Sequence, residues 1–254
     1  MPAPADGLPP TTSPPFVAAD VRPERPVFDR VAPQRPAATA EIDWARWSRA
    51  IERKRRALHR SRRPAALPAS FNRRATLESF RLEGIDLTLA ELDQAQTPTR
   101  DRRAFRARTP QRVRNHLAIL LSLERLLCLR LPVKAAQIVR WYTSVSSGLC
   151  TAGLTPAGMG RVESAVHRIN SPQMRLQPAV QEIARLHCEM LADPVFPSFN
   201  GILARLLLQV HLGRCGLPLV AFDAASDAGR LTTVDTLLPR LLELIDKAFD
   251  EFVA

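Results

Sequence analysis

Apolar residues recur at three- and four-residue spacing through most of this chain, and that periodicity constrains the fold more than any other feature. Such spacing places the apolar side chains on one face of a helix. The clearest examples are Val113, Leu117, Leu120, Leu121, Leu127 and Cys128, and then Leu238, Leu241, Leu242, Ile245, Phe249 and Phe252. Aromatic residues make up only 6% of the sequence, which also favours helices packed on helices over a β-sandwich. We therefore predict a mainly α fold.

Residues 143–177 depart from this pattern. They contain four glycines and two prolines, which interrupt helices. Within them Val162, Ser164 and Val166 alternate weakly between apolar and polar, a spacing typical of a strand. We expect a short strand or β-hairpin here.

Prolines divide the chain. Ten of the 22 lie within the first 36 residues, where few large apolar side chains are present. Because proline fixes φ and lacks an N–H, this segment cannot form a long helix or a sheet. We expect residues 1–40 to be a disordered tail, residues 41–69 a basic helix with a linker, and residues 70–254 one helical domain.

The positive charge is local. The net charge is +11, and residues 44–115 carry 19 of the 36 lysines and arginines against seven acidic residues. A solvated helix face explains such a segment, and so does a surface that binds nucleic-acid phosphates or an acidic protein. If nucleic acid binds, Arg55, Arg56, Arg62 and Arg63 are the expected contacts.

The four cysteines, Cys128, Cys150, Cys188 and Cys215, are scattered and show no metal-binding spacing. We predict buried free thiols in a reducing compartment. No apolar run reaches the roughly 18 residues of a membrane span, and the N-terminus has no signal-peptide pattern. The expectation is a cytoplasmic protein that makes no contact with a membrane.

One loop has the form of a site. Residues 193–205 read Asp-Pro-Val-Phe-Pro-Ser-Phe-Asn-Gly-Ile-Leu-Ala-Arg and join two predicted helices. Free N–H groups at the start of the second helix, near Gly201, form a general anion site, and Arg205 lies one turn further on. Spacing alone favours a plainer interpretation, in which Asn200 and Gly201 form a turn and a helix cap.

Two stretches together resemble the Fic family of protein-modifying enzymes. The family's loop reads H-P-F-x-[D/E]-G-N-G-R-x-x-R, and residues 194–205 follow it without insertion, matching at Phe196, Asn200, Gly201 and Arg205. A Leu-His pair, here Leu186 and His187, also precedes the family's loop at this spacing.

The second stretch is Ser-Phe-Arg-Leu-Glu-Gly over residues 79–84. It resembles the family's inhibitory-helix pattern, [S/T]-x-x-x-E-[G/N], through Ser79, Glu83 and Gly84. Since it precedes the loop, the chain resembles the subgroup with an N-terminal inhibitory helix, here near residues 75–84. The resemblance covers about residues 70–222. It implies a helical bundle of the Fic (Fido) type. For a chain with a complete loop it also implies the transfer of AMP from Mg²⁺-bound ATP to a protein hydroxyl.

The loop departs from the family where that chemistry resides. Pro194 replaces the histidine that acts as base, and proline has no titratable group. Ser198 replaces the acidic residue that holds Mg²⁺, and a lone hydroxyl is a poor ligand for a hard cation. Phe199 and Ile202 replace the first glycine and the first arginine. We expect no catalytic residue, no metal site and no cofactor; ATP and Mg²⁺ are expected only if residual activity persists.

The positions that still match the family's phosphate site are Asn200, Gly201 and Arg205, and we expect them to be a remnant of that site. The resemblance also implies that Arg205 pairs with Glu83. We therefore expect a degenerate Fic-like pseudoenzyme that acts as a protein-binding or regulatory module, with a protein partner and a possible homo-oligomer. One alternative is residual AMPylation, with His167 as the one replacement base worth testing. A second is nucleic-acid binding through residues 44–115.

Overall fold

The computed structural model describes residues 42–60, 69–96, 108–146, 155–171, 175–196 and 198–253. Within these ranges the regular structure is helical and no strand is present, so the mainly α prediction is confirmed. The predicted tail, residues 1–40, lies outside the described residues. The helices are α1 (Trp44–Arg60), α2 (Ala69–Leu82), α3 (Leu89–Gln96), α4 (Arg108–Cys128), α5 (Ala135–Val145), α6 (Pro156–Asn170), α7 (Leu176–Ala192), α8 (Asn200–Arg214), α9 (Ala224–Asp227) and α10 (Val234–Val253).

Helix α8 lies at the centre of the bundle. Every residue from Gly201 to Leu212 is buried, because the sequence of this helix is apolar nearly all round. Helices α2, α4, α5, α6 and α7 all pack against it. The loop with the form of a site therefore precedes the most deeply buried helix of the described chain.

Helix α1 packs against α10 and α7. Ile51 is fully buried on its inner face. Next to it the Lys54 ammonium lies 2.7 Å from a carboxylate oxygen of Asp246 and 2.7 Å from one of Asp250, both on α10. Part of the basic charge of this helix thus holds it on the domain.

The predicted strand is wrong, because Val162, Ser164 and Val166 lie within α6. Thr155 caps this helix by accepting a hydrogen bond from the N–H of Gly158 at 3.1 Å, and a proline follows it as the first helical residue. A proline is well suited to that place, since the first N–H of a helix has no partner inside the helix. Other parts of the segment in which the strand or hairpin was expected, residues 147–154 and 172–174, lie outside the described residues.

The thiols differ in exposure. Cys188 is buried and Cys215 is partly buried, but Cys128 is exposed, so the prediction of buried cysteines is wrong for Cys128. Cys150 lies outside the described residues. Burial raises the pKa of Cys188 and of Cys215 to about 11. Among the described helices, none combines the length and the apolar character that crossing a membrane requires.

Candidate functional site at the start of helix α8

Asn200, the first residue of α8, fixes the loop that precedes the helix. Its side-chain oxygen accepts hydrogen bonds from the N–H groups of Val195 at 3.1 Å and Phe196 at 2.9 Å. Its amide nitrogen donates back to the carbonyl of Phe196. The Phe196 ring stacks on Tyr142 of α5, with ring centroids 4.2 Å apart. One side chain therefore ties the loop to the helix.

Phe199 has a left-handed backbone, with φ at 57°. This conformation costs a residue with a side chain roughly 1–2 kcal/mol and is usual for glycine. The loop geometry at this position therefore suits the glycine of the family pattern, although the chain places phenylalanine there. The guanidinium of Arg112 lies 5.2 Å from the Phe199 ring centroid. Nothing in the sequence pairs these two residues, which come together only in the folded chain.

Arg205 joins α8 to α2. Its side chain is 5% exposed, and its Nε donates to the Ser79 hydroxyl at 2.9 Å. Its Nη2 donates to the Ser79 carbonyl at 2.7 Å and to Oε1 of Glu83 at 2.9 Å. Its Nη1 makes no hydrogen bond with any described residue. Burial lowers the pKa of Arg205, and the charge of Glu83 opposes that shift.

Gly201 lies directly beneath the Glu83 carboxylate. A Cβ at this position would be 2.0 Å from Oε1 of Glu83 and 2.9 Å from Nη1 of Arg205, so any other residue would displace the Glu83 carboxylate. The start of a helix favours a negative charge, because its first N–H groups are unpaired and the dipole is positive there. Glu83 therefore places its carboxylate at the positive end of α8, where a helix favours an anion.

Gly84 allows Glu83 to reach this place. Helix α2 ends at Leu82, and Gly84 takes a left-handed φ of 74°. The N–H of Ile85 bonds to the carbonyl of Phe80, and that of Gly84 bonds to the carbonyl of Arg81. This is a common helix ending that glycine favours, and it explains why a glycine follows Glu83.

The remaining loop positions contain little that could carry chemistry. Pro194 is exposed, Ser198 is half-buried and Ile202 is completely buried in the core. The one acid of the loop, Asp193, forms an ion pair with Arg161 of α6. In the described part of the chain, no three His, Cys, Asp or Glu side chains gather to hold a metal ion. The loop therefore offers Mg²⁺ a single carboxylate, and that carboxylate already pairs with Arg161.

Three of the histidines differ in burial and in distance from the loop. His116 lies 2.9 Å from the Thr76 hydroxyl, and burial, with a smaller effect of Arg205, lowers its pKa to about 3. His187 is buried against Phe222, and the same causes lower its pKa to about 4. His167 is exposed, but it follows Arg161 by six residues, about 9 Å along α6. Burial keeps His116 and His187 neutral inside the domain, near Arg205, so His167 stays the replacement base to test.

A solved structure shares this architecture. It is a Fic domain containing signaling protein from Bacteroides thetaiotaomicron, with a TM-score of 0.58 over 80% of this chain and 96% of that one. The chain has the Fic fold. The identity between the two is 16%, so the likeness establishes the fold and leaves the chemistry to be judged from the residues. No protein-family model matches the sequence, and no curated protein matches it.

In the Fic fold of this chain, the two motifs that lie far apart in sequence come together. The structure gathers Ser79, Glu83, Gly201 and Arg205 into one cluster, hereafter the Arg205 cluster, with Asn200 beside it and Gly84 at the turn that leads to it. Pro194 and Ser198 lie on the same loop but outside the cluster. The functional roles assigned to these residues stay predictions.

Proposed function

We propose that this chain is a Fic-fold pseudoenzyme that transfers no nucleotidyl group and acts as a protein-binding or regulatory module in the cytoplasm. The supporting observation is that two positions of the active loop have become part of the packing. Ile202 is fully buried where the family has an arginine, and Phe199 lies against Arg112 where the family has a glycine. Side chains used in this way are unavailable for binding phosphate.

The loop also lacks a base and a metal ligand. Pro194 has no proton to exchange, and the loss of a general base removes a factor of about 10²–10⁴ in rate. Ser198 offers no carboxylate, and Asp193 is held by Arg161. Residual AMPylation, the alternative, would need a base and a metal site from elsewhere in the chain.

Calorimetric titration of Mg–ATP tests this proposal. The variant Glu83→Gly removes the carboxylate above Gly201 and so uncovers the start of α8. We expect no heat of binding from the wild type or from Glu83→Gly, with both folded by circular dichroism. Micromolar binding by Glu83→Gly would show that the loop still accepts a phosphate and would contradict the argument from Phe199 and Ile202.

A restored loop provides the positive control. It combines Glu83→Gly with Pro194→His, Ser198→Asp, Phe199→Gly and Ile202→Arg, which return the family's residues to the loop. If this variant binds Mg–ATP while Glu83→Gly alone does not, the loop residues, rather than the fold, explain the loss of binding.

A second candidate function is nucleic-acid binding through α1. Arg46, Arg49, Arg53 and Arg56 are all exposed and follow one another at three- and four-residue spacing, so they share one face of the helix. The face spans about 15 Å, from the helical rise of about 1.5 Å per residue. Such a stripe suits a row of phosphates.

The structure changes which arginines a test should replace. Arg55, a predicted contact, is half-buried, and its Nη1 pairs with Glu52 at 2.9 Å. Arg62 and Arg63 lie outside the described residues. We expect that replacing Arg46, Arg49 and Arg53 by glutamate abolishes binding to a 20-base-pair duplex in fluorescence anisotropy.

The control for this experiment replaces three exposed arginines elsewhere, Arg125, Arg140 and Arg185, in the same way. If nucleic acid binds through α1, this control retains its affinity, and the affinity of the wild type falls steeply with salt. Equal loss in both triple variants would indicate an effect of total charge and would remove α1 as the site.

A further inference from the structure

The C-terminal half of α4 exposes leucines on its outer side. In the part of the chain that the structure describes, the large apolar side chains that are exposed are Leu89, Leu121, Leu129 and Leu131, each between 48% and 59% accessible. Three of these four lie at or just after the end of α4. A single exposed leucine is ordinary, whereas several on one surface are typical of a binding site.

The leucines of α4 share one side of the helix. The N–H of Leu129 bonds to the carbonyl of Arg125, so the helical pattern continues one residue past the end of α4. Leu121 and Leu129 therefore lie about 80° apart around the axis and about 12 Å apart along it, with Ala118 and Arg125 between them around the axis. The other sides of α4 pack against α2, α3, α5 and α8. The exposed side, with Leu131 beyond it, is hereafter the leucine face.

The turn after α4 fixes the far end of the leucine face. The N–H of Leu131 bonds to the carbonyl of Leu126 at 2.9 Å, and that of Arg130 bonds to the carbonyl of Leu127 at 3.1 Å. The Nη1 of Arg214 donates to the carbonyl of Arg130 at 3.1 Å. The exposed leucines therefore belong to hydrogen-bonded structure, and a partner would bind them at a small cost in chain ordering.

The charge around the leucine face is positive. Arg125 lies on the face, and Arg130 and Lys134 follow it; all three are exposed, and none forms an ion pair with a described residue. Glu124 is the one acid between Leu121 and Lys134, and it is half-buried and already interacts with another group. Carboxylates of a partner would therefore meet unpaired cations beside the leucines, which favours an acidic partner over a basic one.

We propose that the leucine face binds an acidic amphipathic helix of a partner protein. Its apolar side chains, at three- and four-residue spacing, pack on the leucines, and its carboxylates pair with Arg125, Arg130 and Lys134. The small side chain of Ala118 allows the partner helix to approach closely. A second copy of this chain would bring the same three cations together, so the charge disfavours self-association through this face. The proposal rests on the protein-binding role proposed above and names the chemistry of the partner.

Selection from a displayed library tests the proposal. The library contains 15-residue helices with leucines fixed at three- and four-residue spacing and with Glu, Gln or Lys randomised at every other position. It is selected against the immobilised full-length protein, and the retained sequences are counted by deep sequencing. We expect enrichment of helices rich in Glu. Absence of enrichment, or enrichment of neutral or basic helices, would overturn the proposal.

Variants of the chain locate the binding surface. An enriched helix should bind the double variant Leu121→Gln, Leu129→Gln at least about tenfold more weakly than the wild type, with both proteins folded by circular dichroism. The double variant Arg125→Glu, Lys134→Glu should show a similar loss. Unchanged affinity in either variant would overturn the proposal.

The matched control for the charge reversal is Arg49→Glu, Arg53→Glu, at two exposed arginines of α1, which changes the net charge by the same amount. It should bind the enriched helix like the wild type. Equal loss in both charge-reversed variants would indicate attraction to total charge and would overturn the proposal.

Two further results would assign the leucine face to another occupant and overturn the proposal. One is binding to vesicles that contain phosphatidylserine, and the other is a dimer in equilibrium sedimentation, when either is lost in Leu121→Gln, Leu129→Gln. Neither result bears on the loop, because the Mg–ATP titration reports on a different site. Failure of the selection and failure of the loop proposal are therefore distinguishable.

Discussion

The contact between Glu83 and Gly201 predicts that Gly201→Ala lowers the unfolding free energy of the wild type but raises that of the Glu83→Gly variant. In the wild type, Gly201→Ala would place a methyl group 2.0 Å from Oε1 of Glu83, well inside contact distance. The carboxylate must move by more than about 1 Å, which breaks its 2.9 Å hydrogen bond to the buried Arg205. A hydrogen bond to a charged group contributes about 1.5–3 kcal/mol, whereas glycine to alanine in a helix gains about 0.5–1 kcal/mol. The expected net loss is about 1–2 kcal/mol of unfolding free energy.

In the Glu83→Gly background the Glu83 carboxylate is absent, and the added methyl group meets Nη1 of Arg205 at 2.9 Å, the end of a long side chain that needs to move by only a few tenths of an ångström. The same Gly201→Ala substitution should then raise the unfolding free energy by about 0.5–1 kcal/mol. Urea denaturation of the four proteins in this cycle measures both effects. Gly160→Ala is the matched control, because nothing lies within 4 Å of its added Cβ, and it should stabilise by a similar amount. A stabilising Gly201→Ala in the wild type would refute the proposed position of Glu83.

Three further predictions concern stability. Arg130, just after α4, has a left-handed backbone with φ at 51°. Because glycine adopts this conformation without strain, Arg130→Gly should raise the unfolding free energy measured by urea titration by about 0.5–1 kcal/mol. A lower unfolding free energy would contradict this backbone conformation. Burial lowers the pKa of three histidines in the folded chain, to about 3 for His116 and about 4 for His187 and His211, whereas a histidine in the unfolded chain has a pKa near 6.5. Below about pH 6 the unfolded chain therefore binds more protons than the folded chain, and acid favours unfolding. Each of these histidines lowers the unfolding free energy by up to about 1.4 kcal/mol for each pH unit of acidification. His116→Gln should remove about a third of that slope between pH 5 and 7, and an unchanged slope would refute its buried neutral state. Asn200→Ala should lower the unfolding free energy by about 1–3 kcal/mol, because the N–H groups of Val195 and Phe196 lose their acceptor. Thermal melting measures this effect, and an unchanged melting temperature would contradict it.

Much of the helical architecture follows from the sequence. The start of α3 has the sequence pattern of a capping box, with Thr88 followed three residues later by Glu91. In the structure the N–H of Glu91 bonds to the Thr88 hydroxyl, and the N–H of Thr88 bonds to the Glu91 carboxylate. Such local signals are readable because the interacting residues are three positions apart. The same holds for the apolar stripes of α4 and α10.

The mistaken strand in α6 shows where local reading fails. Glycines and prolines suggested a break, yet Thr155 and Pro156 form a regular helix start, and Gly158 is buried. Thr155 followed by Pro156 is a typical helix start, but the four glycines and two prolines of residues 143–177 favoured a strand in the sequence-based prediction. Whether a glycine breaks a helix or only allows close packing depends on tertiary contacts, which the sequence does not show.

The candidate site was predictable only in part, because it joins segments more than 100 residues apart. The resemblance to the Fic pattern indicated that Glu83 and Arg205 would meet, and the structure places them 2.9 Å apart. Neither the two bonds from Arg205 to Ser79 nor the contact of Arg112 with Phe199 has a sequence signature. These contacts arise from the packing of α2, α4 and α8 and are visible only once the helices are in place.

Label transfer from ATP tests the central claim most directly. Glu83→Gly protein is incubated with Mg²⁺ and ATP labelled at the α-phosphate, first alone and then with a cell lysate, and the proteins are examined for bound label and by intact mass. We predict no label above that of a boiled control on any protein, because the loop has neither base nor metal ligand. Label on the chain itself or on a lysate protein, lost again in Glu83→Gly protein that also carries Arg205→Met, would show that nucleotidyl transfer survives at this loop and would contradict the account.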